Sequence, residues 1–285
     1  MEQRPDYLVI GHVAKDRLPD GGSRPGGTVT YSSLAAQRLG LQAAVVTACA
    51  PEDEDLLAPL LDAGVWVAAV PSTHTTSFRN VYDDHGHRTQ YLLGQAGPIQ
   101  WGDVPTEWRG APIVHLGPVA QELGADLPGR FPYCLLGITP QGWMRSWDSE
   151  GRVIHSAWPA HPALNGLPDN ACIVLSLEDL DYHPELVKHY VKLAPVVVVT
   201  NGYDPAELYR RGDQVTVSAF RAESVDPTGA GDVFATALLA YLHRTGDLER
   251  AARYAHAAAA YCIEGEGTSS LPTAAMVERR VAEGV

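Results

Sequence analysis

Short apolar runs alternate with stretches of helical spacing along most of the chain. Residues 7–11 form an apolar strand, residues 30–39 repeat at helical spacing and stop at Gly40, and residues 42–47 return to a strand pattern. Residues 56–63 predict a helix closed by Gly64. Further core strands are predicted at 113–116, 134–138, 173–175 and 196–200, the last containing four consecutive valines that suit a strand buried on both faces. The C-terminal third turns helical over 232–244, 248–262 and 273–282. This alternation predicts an α/β fold with a mostly parallel central sheet and helices on both faces. One stretch breaks the rhythm. Residues 76–83 and 88–93 alternate around Asp84-His85-Gly86-His87, the pattern of a β-hairpin, which on its residues alone is an ordinary surface hairpin.

Composition narrows the class. With 285 residues and 45% hydrophobic content the chain can bury one large core, so a single domain over residues 1–285 is expected. A net charge of −13 argues against a nucleic-acid partner, because binding a phosphate backbone needs a basic surface. It does not exclude a phosphate ligand, whose local field is set by the groups around it. The first six residues lack an apolar leader segment and no apolar run approaches spanning length, so a cytoplasmic protein without a membrane partner is expected. Cys49, Cys134, Cys172 and Cys262 are widely spaced and read as buried thiols in a reducing compartment. His85-Gly86-His87 reads as a solvated turn in preference to a metal pair.

The most informative segment is Asp226-Pro227-Thr228-Gly229-Ala230-Gly231-Asp232, two glycines and a carboxylate at the start of a predicted helix. Backbone N–H groups of Gly229, Ala230 and Gly231 at a helix start can cradle developing phosphate charge with no side chain in the way. Asp232 can then accept a proton from an attacking hydroxyl. A purely structural turn fits the same spacing. The dinucleotide fingerprint does not: Phe234 occupies the place of its third glycine, and Glu249 follows a loop, not a strand. No Gly-x-x-x-x-Gly-Lys-Ser/Thr, His-Arg-Asp, Asp-Phe-Gly or Gly-x-Ser-x-Gly motif is present.

Residues 226–239, together with Gly26-Gly27, the helix ending Arg38-Leu39-Gly40, and the upstream Gly11 and Asp16, resemble the ribokinase-like (PfkB) carbohydrate kinases. The resemblance implies a ribokinase-like fold with a small β lid, its segments near 13–27 and 76–95. It implies ATP-dependent phosphorylation of a hydroxyl, with Asp232 as base and residues 229–231 as anion hole. Asp16, Gly26, Gly27, Thr30 and Arg145 would line the acceptor pocket. Thr200, Gly202, Thr228, His256 and Gly267 would border the nucleotide; a lone histidine on an alanine helix more often reads as a packed or solvated one. Ser176 and Asp179 stand where the family organises Mg²⁺ through waters, although a serine cap with an acidic first turn explains the same letters. ATP and Mg²⁺ are the implied cofactors, with a monovalent cation as a further candidate, and the chain would act as a monomer or homodimer. Tyr31 replaces the usual pocket asparagine, and the run 11–16 with 26–33 looks closest to the myo-inositol kinase branch. A small sugar or cyclic polyol is the expected acceptor, with a nucleoside as the alternative. A ligand-sensing relative without chemistry and an NAD-dependent dehydrogenase are the readings from other classes.

Overall fold

The computed structural model describes residues 4–82 and 88–284. In chain order its strands are β1 (Tyr7–Ile10), β2 (Ala14–Arg17), β3 (Ser23–Gly26), β4 (Ala43–Cys49), β5 (Trp66–Pro71), β6 (Thr76–Tyr82), β7 (Arg88–Gly94), β8 (Ile113–Leu116), β9 (Leu135–Ile138), β10 (Arg145–Trp147), β11 (Val153–His155), β12 (Ala171–Ser176), β13 (Val196–Asn201), β14 (Asp204–Arg210) and β15 (Asp213–Val217). The helices are α1 (Thr28–Arg38), α2 (Ala58–Asp62), α3 (Val187–Tyr190), α4 (Ala230–Thr245), α5 (Leu248–Ile263) and α6 (Ala274–Glu283).

Nine strands form the main sheet in the order β15-β14-β13-β12-β9-β8-β1-β4-β5. From β13 to β5 every pairing is parallel, and β14 and β15 add an antiparallel edge. The apolar runs alternate faces as the pleat requires. Tyr7, Val9, Val45, Val174 and Val198 meet α1, α4 and α5, while Leu8, Ile10, Val46, Ile173 and Val197 face the opposite way. That opposite face is covered by α3, short helical turns and loop residues such as Ile99, Leu123, Phe131 and Leu164. The alanine-rich α5 packs closely on α4 because Ala251, Ala255 and Ala258 keep their backbones near each other.

The chain leaves β1 toward β4 on one side and returns through β8 on the other. The crevice between the ends of β1 and β8 is therefore a topological switch point, where open α/β sheets bind ligands. The strand ends approach closely there: a Cβ on Gly11 would lie 2.3 Å from the Gly117 carbonyl oxygen.

A second sheet, β3-β2-β6-β7, stands beside this crevice. The hairpin β6–β7 has the expected antiparallel pairing, and its tip at 83–87, including His85 and His87, lies outside the described residues. The polar strands β2 and β3 carry no apolar alternation. They are held by pairing with each other and with β6. A buried polar cluster fastens this sheet to the main one. His12 Nε2–H donates to the Gly97 carbonyl (2.8 Å), and its Nδ1 accepts from the Thr76 hydroxyl (2.7 Å). The Glu122 carboxylate accepts from the backbone N–H groups of His12 (2.9 Å), Val119 (2.9 Å) and Ala120 (2.7 Å).

Glu122 is only 2% exposed. Its replacement by alanine leaves three buried N–H groups without their acceptor, so Glu122→Ala should lower unfolding free energy by about 2 kcal/mol or more in urea titration. A loss below about 0.5 kcal/mol would show that water replaces the carboxylate at no cost.

Candidate active site

The glycine turn and Asp232 lie at the N-terminus of α4, beside the switch point. Gly229 caps the helix in the left-handed region (φ 79°), and a Cβ there would fall 2.1 Å from the Tyr31 ring. Both facts require glycine. By contrast, nothing lies within 4 Å of a Cβ built on Gly231, so the first turn of the helix is open on that side. Beneath it, the Thr236 hydroxyl donates to the Asp232 carbonyl (2.8 Å) and the Tyr7 hydroxyl donates to Thr236 (3.2 Å), so β1 props the first turn of α4.

Asp232 is half-buried. Desolvation raises its carboxyl to about 6, a hydrogen bond from Thr28 and the positive charge of Arg145 pull it down, and the Asp179 carboxylate pushes it up. Arg145 is steered by the Val119 carbonyl (3.1 Å) and Gln141 Oε1 (2.7 Å), and its guanidinium lies 5.5 Å from the Phe78 ring of β6. Gln141 in turn donates to Asp179 Oδ1 (3.3 Å). Asp232, Arg145 and Asp179 therefore share one electrostatic neighbourhood.

Ser176 and Asp179 close on each other. The Ser176 backbone N–H and hydroxyl both donate to Asp179 Oδ2 (2.8 Å each), and the Asp179 N–H donates to Ser176 Oγ (3.0 Å), the reciprocal capping arrangement of a helical turn. Asp179 Oδ1 remains on the side of Gln141 and Asp232. Among the described residues no group of three or more His, Cys, Asp or Glu is arranged to hold a metal directly. The Asp179 carboxylate, a hard oxygen donor in the electrostatic neighbourhood of Asp232, would fit a hydrated Mg²⁺.

The remaining candidates divide. Asp16 lies over the backbone of Gly26, where an added Cβ would come 2.2 Å from its carboxylate oxygen. Gly27 precedes α1 at φ 83° with the His12 carbonyl 2.6 Å from its would-be Cβ, so both glycines of the pair let the small sheet approach. Thr30 is fully buried and donates its hydroxyl to the Gly26 carbonyl (2.7 Å), stabilising the helix start from within. Thr200 is the penultimate residue of β13, and Gly202 turns into β14 at φ 55°. The Gly267 N–H donates to Asp226 Oδ2 (3.2 Å), which brings its loop to the glycine turn. His256 is 5% exposed, its ring edge-on to Phe234 at 5.0 Å, and burial lowers it to about 4. It is a packed neutral histidine whose Nε2 is buried without a partner among the described residues.

Two residues not singled out as site candidates join the turn. Asp226 receives the Thr228 N–H and hydroxyl, the Gly267 N–H and Arg24 Nη1 (2.9 Å), and Arg24 Nη2 reaches Thr228 Oγ1 at 3.2 Å. Arg24 sits in a polar run without periodicity, and its only signal is adjacency to Pro25-Gly26-Gly27.

Comparison with known proteins meets this geometry at the same place. The pfkB family carbohydrate kinase profile matches residues 173–274, the span that carries the glycine turn, Asp232 and Gly267. Over that span the chain is similar to the pfkB family carbohydrate kinases. It is 28% identical to the inositol 3-kinase of Oryza sativa over 80% of this chain, and spans 60% of that protein's length. It is 24% identical to the nucleoside kinase of Methanothermobacter thermautotrophicus over 95% of this chain and 93% of the relative. In fold it matches Arabidopsis thaliana ribokinase complexed with ribose and ATP (TM-score 0.76, 19% identity, 98% of this chain and 99% of that one). It also matches a pyrophosphate-dependent kinase of the ribokinase family complexed with a pyrophosphate analogue and myo-inositol (TM-score 0.76, 22% identity, 98% and 100%). These two structures share the α/β fold found here, and among the described residues no helix is long and apolar enough to cross a membrane.

The raised Asp232 carboxyl has a stability consequence. The folded state keeps its proton to higher pH than the unfolded chain, so between about pH 4 and pH 6 this group makes stability fall as pH rises, and above that window the full penalty is present. Asp232→Asn should therefore melt at higher temperature than the parent near pH 8, with the difference shrinking towards pH 4. Equal melting temperatures at both ends would mean that the carboxylate is fully solvated.

Proposed function

We propose that this chain transfers the terminal phosphoryl group of ATP to a hydroxyl of a small sugar or cyclic polyol, with myo-inositol as the favoured acceptor. The observation that carries the reading is the half-buried Asp232, raised to about 6, at the mouth of an unobstructed helix N-terminus. As the acceptor oxygen attacks the γ-phosphorus, Asp232 takes the hydroxyl proton and the bond to the bridging oxygen of ADP breaks. The N–H groups of residues 229–231 meet the charge that spreads over the transferring group. Asp179 would hold Mg²⁺ through water, and the ion when bound would supply further neutralisation of phosphate charge. A carboxyl near 6 is ionised at neutral pH yet basic enough to share a proton in the transition state.

The acceptor reading is supported by the resemblance to the rice inositol 3-kinase and by the pocket chemistry. Asp16 offers two acceptor oxygens to neighbouring hydroxyls, and Arg145 is the basic group near the base. The sheet β3-β2-β6-β7 serves as the lid that excludes water during transfer. A nucleoside acceptor is the second reading, favoured by the near-full-length match to the nucleoside kinase. The pyrophosphate-dependent structural neighbour makes pyrophosphate a donor to be compared with ATP.

Steady-state turnover with ATP and with pyrophosphate over myo-inositol, ribose, fructose, fructose 6-phosphate and cytidine tests the reading. The expected kcat/KM for myo-inositol with ATP exceeds the others by at least about tenfold, or about 1.4 kcal/mol of transition-state binding. An equal preference for cytidine or fructose 6-phosphate overturns the acceptor. Asp232→Asn should lower kcat by about 10² or more while nucleotide affinity is kept, and turnover within a few-fold of the parent removes Asp232 from its role.

A further inference from the structure

Arg24 occupies a place where the small sheet meets the glycine turn through opposite charges. It lies on β3, directly across from Asp16 on β2, and its guanidinium leaves the strand to reach Asp226 and Thr228, more than two hundred residues further along the chain. The same Asp226 carboxylate binds the N–H groups of Thr228 and Gly267, so it organises the turn and the loop behind it at once. Arg24 Nε is buried without a partner among the described residues, which leaves Asp226 and Thr228 as the groups that fix the guanidinium. The Asp226 and Asp16 carboxylates and the Tyr31 phenol all favour its charge, and the Tyr31 ring is the wall against which Gly229 packs.

We propose that Arg24 is a positioning residue that latches the acceptor-side sheet to the phosphate-side turn. Asp16 and Arg24 are cross-strand neighbours, so an acceptor that orders Asp16 orders the strand pair and thereby Arg24. Through Asp226, Arg24 then holds Thr228 and the 229–231 N–H groups in place. Occupancy of the acceptor pocket is in this way felt at the anion hole, and phosphoryl transfer is favoured over loss of phosphate to water. The latch itself is a property of the fold; its effect on turnover rests on the kinase reading above.

Arg24→Ala, Arg24→Lys, Asp226→Asn and the double variant Arg24→Ala/Asp226→Asn test it with two readouts. In hydrogen exchange of the ligand-free protein, Arg24→Ala should speed exchange of residues 14–17 and 23–26 by about tenfold or more while β1, β8 and β12 exchange as in the parent. In turnover with myo-inositol, it should lower kcat and raise acceptor KM, each by about fivefold or more, increase ATP hydrolysis per transfer, and leave the Kd of the ATP analogue AMP-PNP with Mg²⁺ within about threefold. Arg24→Lys should recover part of both effects. The double variant should be no worse than the more impaired single one, because one contact is removed twice.

Parent-like exchange of the small sheet in Arg24→Ala overturns the latch, as does additivity in the double variant. An effect confined to AMP-PNP affinity also overturns it, since Arg24 would then be a nucleotide ligand. If myo-inositol is not phosphorylated, the acceptor assignment fails and the exchange readout still decides on Arg24.

Discussion

Keeping a carboxylate half out of water at the first turn of a helix is the constraint on which the rest of this structure depends. Asp232 is placed where the helix N-terminus attracts negative charge and where surrounding protein desolvates it, and desolvation is the larger influence. The position is fixed from three directions. Tyr7 on β1 and Thr236 on α4 hold the backbone below it, Thr28 at the start of α1 meets its side chain, and Tyr31 fills the space behind Gly229. These supports come from β1, α1 and α4, so the site exists only when the parallel sheet has brought the three together.

The electrostatics follow the same logic. In a chain of net charge −13, the fold brings Arg145, the first residue of β10, near Asp232 and brings Arg24 of β3 to the glycine turn. Both are steered by oxygen acceptors, Arg145 by the Val119 carbonyl and Gln141, Arg24 by Asp226 and Thr228. Both also touch the small sheet, Arg145 through Phe78 and Arg24 by belonging to it. Buried Glu122 and His12 fasten the base of that sheet to the strand ends, so the small sheet is anchored at its root and at its rim.

Hydrophobic periodicity made the central strands legible because they are buried on both faces: β1, β8 and β13 begin where the apolar runs begin, and α4 and α5 span the predicted helical segments. The two short strands of the small sheet were not legible because they lack an apolar run. Ala14–Arg17 and Ser23–Gly26 are four residues long and mostly polar, and the pairing of β3 with β2 and of β2 with β6 makes them part of a sheet. Pro205 hides β14, yet it stands at the irregularity between Val199 and Asn201, where no ladder donor is required of it. The helix expected over 56–63 is divided, because Pro51–Leu57 winds as a tighter turn before α2. In the site, the glycine turn could be read locally because its chemistry is contiguous. Arg24 and Glu122 could not, since their partners lie far away in sequence. Thr30 and His256 match a family pattern by position, while their side chains are engaged inside the protein.

The central claim is that Asp232 is the ionising base of the reaction, and the pH dependence of kcat/KM for the phosphorylated acceptor tests it most directly. The expected profile falls below a single inflection near pH 6, tenfold for each further pH unit, and Asp232→Asn abolishes that inflection along with most of the rate. An inflection near pH 4, or one that survives unchanged in Asp232→Asn, would contradict the account.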